Sequence, residues 1–222
     1  MNYSGPTKLA VLACPGGERF ADEVIVHLKR LYRRRFDHKS AVLAKRYGLE
    51  KDEVIRKINF ANDIAATANF IPGDVMKFRS PAFKIPARFT YFPNGEIKTE
   101  ILESIRGKDV YIFQDVENHR PIAFNEGKNI KTLTVNDHLM NLFVAVDAAK
   151  QAGAEQVTLV IPVYPYSRQH KKKSREGLTA SRIGKMLEAM GWTASSPWTF
   201  IPGKLKMPST SCAWKTSMPA IR

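Results

Sequence analysis

The sequence predicts an α/β domain built on a parallel sheet, and two observations predict it. Short apolar strands recur at residues 8–14 (KLAVLAC), 109–114 (DVYIFQ) and 157–161. Each leads, directly or through a loop, into a segment whose apolar residues fall at helical spacing. Strand, helix, strand, helix in series implies parallel pairing through right-handed crossovers.

The elements follow in order. After the first strand, Pro15, Gly16 and Gly17 turn the chain into a helix carrying Phe20, Val24, Leu28 and Leu31 on one face. The two glycines could cradle a phosphate, but the full glycine-rich spacing is missing and a tight strand-to-helix turn is the better reading. The helix is expected to end in the basic run Lys29, Arg30, Arg33, Arg34 and Arg35, read as solvated surface. Residues 36–87 read as a helical insertion, with a helix over 51–66 placing Val54, Ile55, Ile58 and Ile64 on one face before the breaker Ile71-Pro72-Gly73. His27 and His38 have no partner at ligand spacing and are assigned ordinary structural or surface roles.

Residues 88–92 form a strand, Pro93-Asn94-Gly95 a turn, and residues 98–101 the returning strand. A polar loop over 118–135, also read as inserted, leads to Asn136 and Asp137 as N-cap candidates for a helix through Ala152. Its core face is Leu139, Leu142, Phe143, Val146 and Ala149, and Gly153 ends it. The last helix, 179–190, is expected to turn Ile183, Met186, Leu187 and Met190 inward.

Charge points to the site. The net charge is +14, from 35 Lys and Arg against 21 Asp and Glu, which favours anionic partners. Arg168, Lys171, Lys172, Lys173 and Arg175 place five cations within eight residues, just beyond the third strand. Ligands of open α/β sheets bind at the strands' carboxyl ends, and a cation cluster there suits a polyanion such as a nucleotide's phosphate chain. An ordinary solvated charge run is the competing reading. Two cysteines, Cys14 and Cys212, make neither a disulfide framework nor a metal pair. Residues 1–6 lack the pattern of a signal peptide and no apolar run would span a bilayer, so a cytoplasmic protein without a membrane partner is expected.

Three motifs in these segments, FPNGEIKTEILESIRGKDVYIFQ (92–114), NDHLMNLFVAVDAAKQAGA (136–154) and VTLVIPVYPYSRQHKKKSREGLTA (157–180), resemble the ribose-phosphate pyrophosphokinases, which make phosphoribosyl pyrophosphate. The resemblance covers most of residues 8–190. It implies the first of two tandem phosphoribosyltransferase-like domains in a homo-oligomer. The implied reaction transfers the diphosphoryl group of ATP to the 1-hydroxyl of ribose 5-phosphate, with magnesium. It also implies that Phe92 packs on adenine, that Asn94 and Glu96 contact the nucleotide across a subunit interface, and that Arg168 and Gln169 bind ATP. Lys171, Lys172, Lys173 and Arg175 match the loop that closes over the phosphates. Two positions depart from the family: Asn94 stands where aspartate is usual, and His170 where aspartate commonly follows the Arg-Gln pair.

The pattern stops after Gly191. Residues 192–222 hold no Asp or Glu and all three Trp of the chain. On this resemblance the family's Asp-x-His strand, whose histidine helps bind magnesium, and the second domain with its ribose-phosphate loop are expected to be missing from this chain. Back-translated one base out of register, residues 192–202 can encode Val-Asp-Arg-Ile-Ile-Thr-Leu-Asp-Ile-His-Ser, so a reading-frame slip near Gly191 is the expected origin of the tail, with a native, functional tail as the competing reading. The tail is expected to be poorly ordered. The competing functions are a non-catalytic regulatory subunit of a synthetase assembly and, on charge alone, a nucleic-acid-binding module, which no recognised motif supports.

Overall fold

A computed structural model describes residues 8–57, 81–125, 127–169 and 175–190. The elements are β1 (Leu9–Ala13), α1 (Glu18–Tyr47), α2 (Lys51–Lys57), β2 (Ala87–Tyr91), β3 (Ile97–Ile101), β4 (Asp109–Phe113), β5 (Pro121–Phe124), β6 (Asn129–Thr132), α3 (Val135–Gln151), β7 (Gln156–Val160) and α4 (Thr179–Ala189). The three predicted strands form one parallel sheet in the order β1-β4-β7. Beside β1 runs a short parallel segment, in which Val11 bonds the Phe83 carbonyl and the Ile85 amide. Among the described residues β7 is the sheet's other edge.

Alternation along the strands sends side chains to two faces. Ala10, Leu12, Val110, Ile112, Val157 and Leu159 meet α3 and α4 in the main core. Val11 and Phe113 meet Ala21 and Ile25 of α1 on the opposite face, where Phe20 packs edge-on to Phe113 at 5.4 Å. Each fully buried Leu or Ile in such a core contributes roughly 1.5–3 kcal/mol. The β2–β3 hairpin lies against α3, with Phe89 and Ile101 on the main core.

Several expectations are corrected. The basic run does not end α1. Phe36, Ser40 and Leu43 continue the apolar face at i, i+4 and i+7, and the helix stops only at Gly48, whose left-handed φ of 64° suits glycine. Leu31 is exposed, and the neighbouring Tyr32 makes the inward contact, edge-on to Phe83 at 4.9 Å. Met186 is also exposed, leaving Ile183 and Leu187 as the buried pair of α4, with Met190 partly buried. The cap of α3 is Thr134 rather than Asn136 or Asp137. Asp137 acts from the third helical position: its carboxylate accepts from the Thr134 N–H at 2.8 Å while its own N–H donates to the Thr134 hydroxyl.

The stretch read as a polar loop holds a second hairpin, β5–β6, antiparallel from Pro121↔Thr132 to Phe124↔Asn129. It packs beside β2 through a small cluster of Tyr91, Phe124 and Leu133. The helix expected over 51–66 is described only as α2, with Val54 buried. Ile58, Ile64, the Ile71-Pro72-Gly73 breaker and the whole 192–222 tail lie outside the described residues.

Candidate functional site

The first candidate segment is the tip of the β2–β3 hairpin. Phe92 donates to the Glu96 carbonyl at 2.9 Å and Gly95 donates to the Phe92 carbonyl at 3.0 Å. Gly95 has φ of 95°, a left-handed conformation that glycine adopts at no steric cost. The Asn94 side chain accepts from the Glu96 N–H at 3.1 Å, the Asx-turn that makes Asn a turn residue. Phe92 is 39% exposed, and Asn94 and Glu96 are exposed with it. An aromatic ring and a carboxylate thus stand in solvent on a rigid turn.

The second segment follows β7. Tyr164 is buried and its hydroxyl donates to the Ala180 carbonyl at 2.9 Å, tying the loop to α4. Burial, reinforced by Glu188, pushes that phenol up to about 12. Tyr166 sits at φ of 56°, and a single 3-10 turn, Ser167–Gln169, follows. This turn presents Arg168 to solvent beyond the carboxyl end of β7. Arg168 and Arg175 pair with no carboxylate among the described residues, and both are exposed. The Gln169 side chain and all of Lys171, Lys172 and Lys173 lie outside the described residues.

One helix end links the two segments. The Tyr166 hydroxyl bonds the Asn136 side chain, and the Tyr91 hydroxyl donates to Asp137 Oδ1 at 3.4 Å. Consecutive residues in the first turn of α3 therefore tether the residue before Phe92 and the loop that carries Arg168. The pair Asn136-Asp137, read as a cap, serves as a common strut.

At the carboxyl ends of β1 and β4 lies a buried polar network that sequence reasoning missed. Gln114 Nε2 lies 3.0 Å from His138 Nδ1 and 3.1 Å from the Pro15 carbonyl. His138 Nε2 lies 2.8 Å from the Asn118 carbonyl, and Asn118 donates to the Gly16 carbonyl at 2.7 Å. The arrangement fits the imidazole tautomer protonated at Nε2, with Nδ1 accepting from Gln114. The signal available in sequence was slight: a glutamine closing an apolar strand and a histidine on the inner face of a helix.

The network fixes the Gly16-Gly17 turn, which holds no room for a phosphate. The Glu18 carboxylate already accepts the Gly16 N–H at 2.7 Å, and a Cβ on Gly17 would lie 2.7 Å from the Phe113 carbonyl oxygen. The tight-turn reading stands. Beside it is an open cleft of about 460 Å³ lined by Arg19 and Arg120 but also by Glu23, Asp115 and Glu117, a mixed field unlike the cationic 168–175 loop. Among the described residues no three His, Cys, Asp or Glu side chains gather in a way that could hold a metal ion.

Comparison with known proteins completes the picture. A family model described as the N-terminal domain of ribose phosphate pyrophosphokinase matches residues 60–191. The ribose-phosphate pyrophosphokinase of Bacillus subtilis (strain 168) is 40% identical over 105 residues, covering 47% of this chain and 28% of that protein. That of Corynebacterium ammoniagenes is 38% identical over 103 residues, covering 46% and 28%. The chain thus spans under a third of the length of the curated relatives it matches. A crystal structure of phosphoribosylpyrophosphate synthetase from Mycobacterium smegmatis aligns with a TM-score of 0.47 at 21% identity, over 84% of this chain and 40% of that one.

Proposed function

Because this chain belongs to the family of the ribose phosphate pyrophosphokinase N-terminal domain, we propose that it is the ATP-side portion of a ribose-phosphate diphosphokinase acting in nucleotide synthesis. In that reaction the 1-hydroxyl oxygen of ribose 5-phosphate forms a bond to the β-phosphorus of ATP. The bond from that phosphorus to the α-bridging oxygen breaks, AMP leaves, and the hydroxyl proton is lost to solvent or a base. Magnesium, which the family resemblance implies, would supply charge neutralisation on the phosphates. No helix among the described residues is long and apolar enough to cross a membrane.

The observation that supports this reading best is the exposed Arg168 guanidinium just beyond the carboxyl end of β7, on the cationic loop. Phe92, Asn94 and Glu96 on one side, and Arg168 on the other, stand exposed on segments tethered to Asn136 and Asp137. Diphosphoryl transfer is mostly positioning and stabilisation of charge on phosphoryl oxygens. Guanidinium groups at Arg168 and Arg175, which pair with no carboxylate among the described residues, suit that task, with Gln169, Lys171, Lys172 and Lys173 completing the loop. In the family arrangement the Phe92 turn reaches the nucleotide held by a neighbouring subunit, so a homo-oligomer belongs to the proposal.

The test measures ATP binding by calorimetry for the unmutated chain and Arg168→Ala, alongside AMP release in the presence of ribose 5-phosphate. A charge-assisted hydrogen bond of about 1.5–3 kcal/mol corresponds to a loss of roughly 10- to 150-fold in affinity. Unchanged affinity in Arg168→Ala removes the assignment. Salt-sensitive DNA or RNA binding without preference for ATP would replace it with a nucleic-acid role.

A further inference from the structure

We infer that Asn125, at the tip of the β5–β6 hairpin, is a positioning residue that clips the backbone of Tyr91 and so fixes the adjoining turn bearing Phe92, Asn94 and Glu96. This rests on the nucleotide reading of that turn.

The clip is a single planar amide used as a strand. Among the described residues β2 pairs with a strand, β3, along one edge. On the opposite edge the Tyr91 N–H donates to Asn125 Oδ1 at 3.2 Å, while Asn125 Nδ2 donates to the Tyr91 carbonyl at 2.9 Å. Only one orientation of the amide satisfies both groups, so the contact fixes position and direction together. Asn125 holds φ of 53°, a conformation asparagine tolerates better than most residues. The rest of the hairpin closes over the same tyrosine. Lys131 Nζ stands 3.7 Å from the ring centroid and Phe124 packs at 5.5 Å. With Asp137 on its hydroxyl, Tyr91 is held by β3, by the β5–β6 hairpin and by α3.

Tyr91 is the residue before Phe92, so freedom at Tyr91 passes directly into the turn. A turn that meets its ligand preformed loses less entropy on binding. The β5–β6 hairpin thus acts on the candidate site without supplying a ligand contact of its own.

Asn125→Gly tests this, since glycine keeps the left-handed backbone and removes only the amide. Amide hydrogen exchange is read at Phe92 and Gly95, whose bonds are internal to the turn and do not involve Asn125. Loss of two hydrogen bonds predicts exchange there about tenfold faster, with β1 and β4 amides unchanged, and ATP affinity about threefold to tenfold weaker. Unchanged protection at Phe92 and Gly95 overturns the inference. Faster exchange with unaltered ATP affinity overturns its link to the nucleotide. If the unmutated chain binds no ATP, the proposed function fails on its own, and the exchange data alone support or overturn the clip.

Discussion

Replacing Gly17 by alanine separates steric from conformational cost at the sheet's carboxyl edge. Gly17 has φ of −96° and ψ of −1°, open to any L-residue, so the substitution brings no backbone strain. Its cost comes from the 2.7 Å between the added Cβ and the Phe113 carbonyl oxygen, with Phe113 C at 3.1 Å and Gln114 Cα at 3.2 Å. The oxygen lies ~0.6 Å inside the roughly 3.3 Å at which carbon and carbonyl oxygen ordinarily meet. All three are backbone atoms at the carboxyl end of the central strand, which is paired on both sides, and cannot rotate away. Overpacking of this kind costs about 3 kcal/mol, the upper end of its usual range. Gly48→Ala is the converse case: φ of 64° with no atom within 4 Å of the new Cβ. It should cost about 1 kcal/mol, from backbone conformation alone. In thermal unfolding of a chain this size these figures correspond to midpoints lower by roughly 6–12 °C and 2–4 °C. A Gly17→Ala midpoint no lower than that of Gly48→Ala would refute the close approach of the β1–α1 turn to β4.

Further outcomes follow from the same geometry. Burial opposes ionisation of Asp137, but hydrogen bonds from Thr134 and Tyr91 outweigh it and hold the carboxyl below its ordinary value. Its contribution is therefore full above about pH 4 and lost as pH falls through the lowered value. Urea midpoints should drop more between pH 5 and pH 3 for the unmutated chain than for Asp137→Asn. Tyr164, pushed up to about 12, should remain protonated when exposed tyrosines have ionised, so Tyr164→Phe should leave the ultraviolet titration near pH 10–11 unchanged. The same variant should lose about 0.5–1.5 kcal/mol of stability with its bond to Ala180. Cys14 is fully buried and its thiol is pushed up by burial and by Glu18. It should resist iodoacetamide in the folded chain and react only on denaturation, as peptide mass mapping would record.

The parallel sheet was legible because β1, β4 and β7 are apolar runs bounded by turn residues, and buried strands announce themselves that way. The hairpin of Phe92 was legible for a different reason: Pro93, Asn94 and Gly95 dictate its turn chemically. The β5–β6 hairpin was not. Its strands are four residues long, and only Phe124 and the following Leu133 are deeply buried, so Pro121, Asn129 and Lys131 dominate the reading. The extent of α1 was obscured by its own cations, which look like a helix end but lie on a solvated face of a helix that continues. Contacts such as Asn125 with Tyr91, 34 residues apart, or Gln114 with His138, 24 apart, join groups whose separate sequence contexts say nothing of each other.

The length of α1 has a mechanical consequence. Thirty residues extend about 45 Å, whereas a five-residue strand extends about 17 Å. The near half of the rod, up to Tyr32, rests on β1, β4 and Phe83; the far half meets α2, bridged by Asp37 to Arg33 and Lys51. Among the described residues the far half packs chiefly on α2 rather than on a strand, so the two form an outrigger expected to melt and re-form while the sheet stays closed. Heat or denaturant should release that outrigger first, in a step of its own.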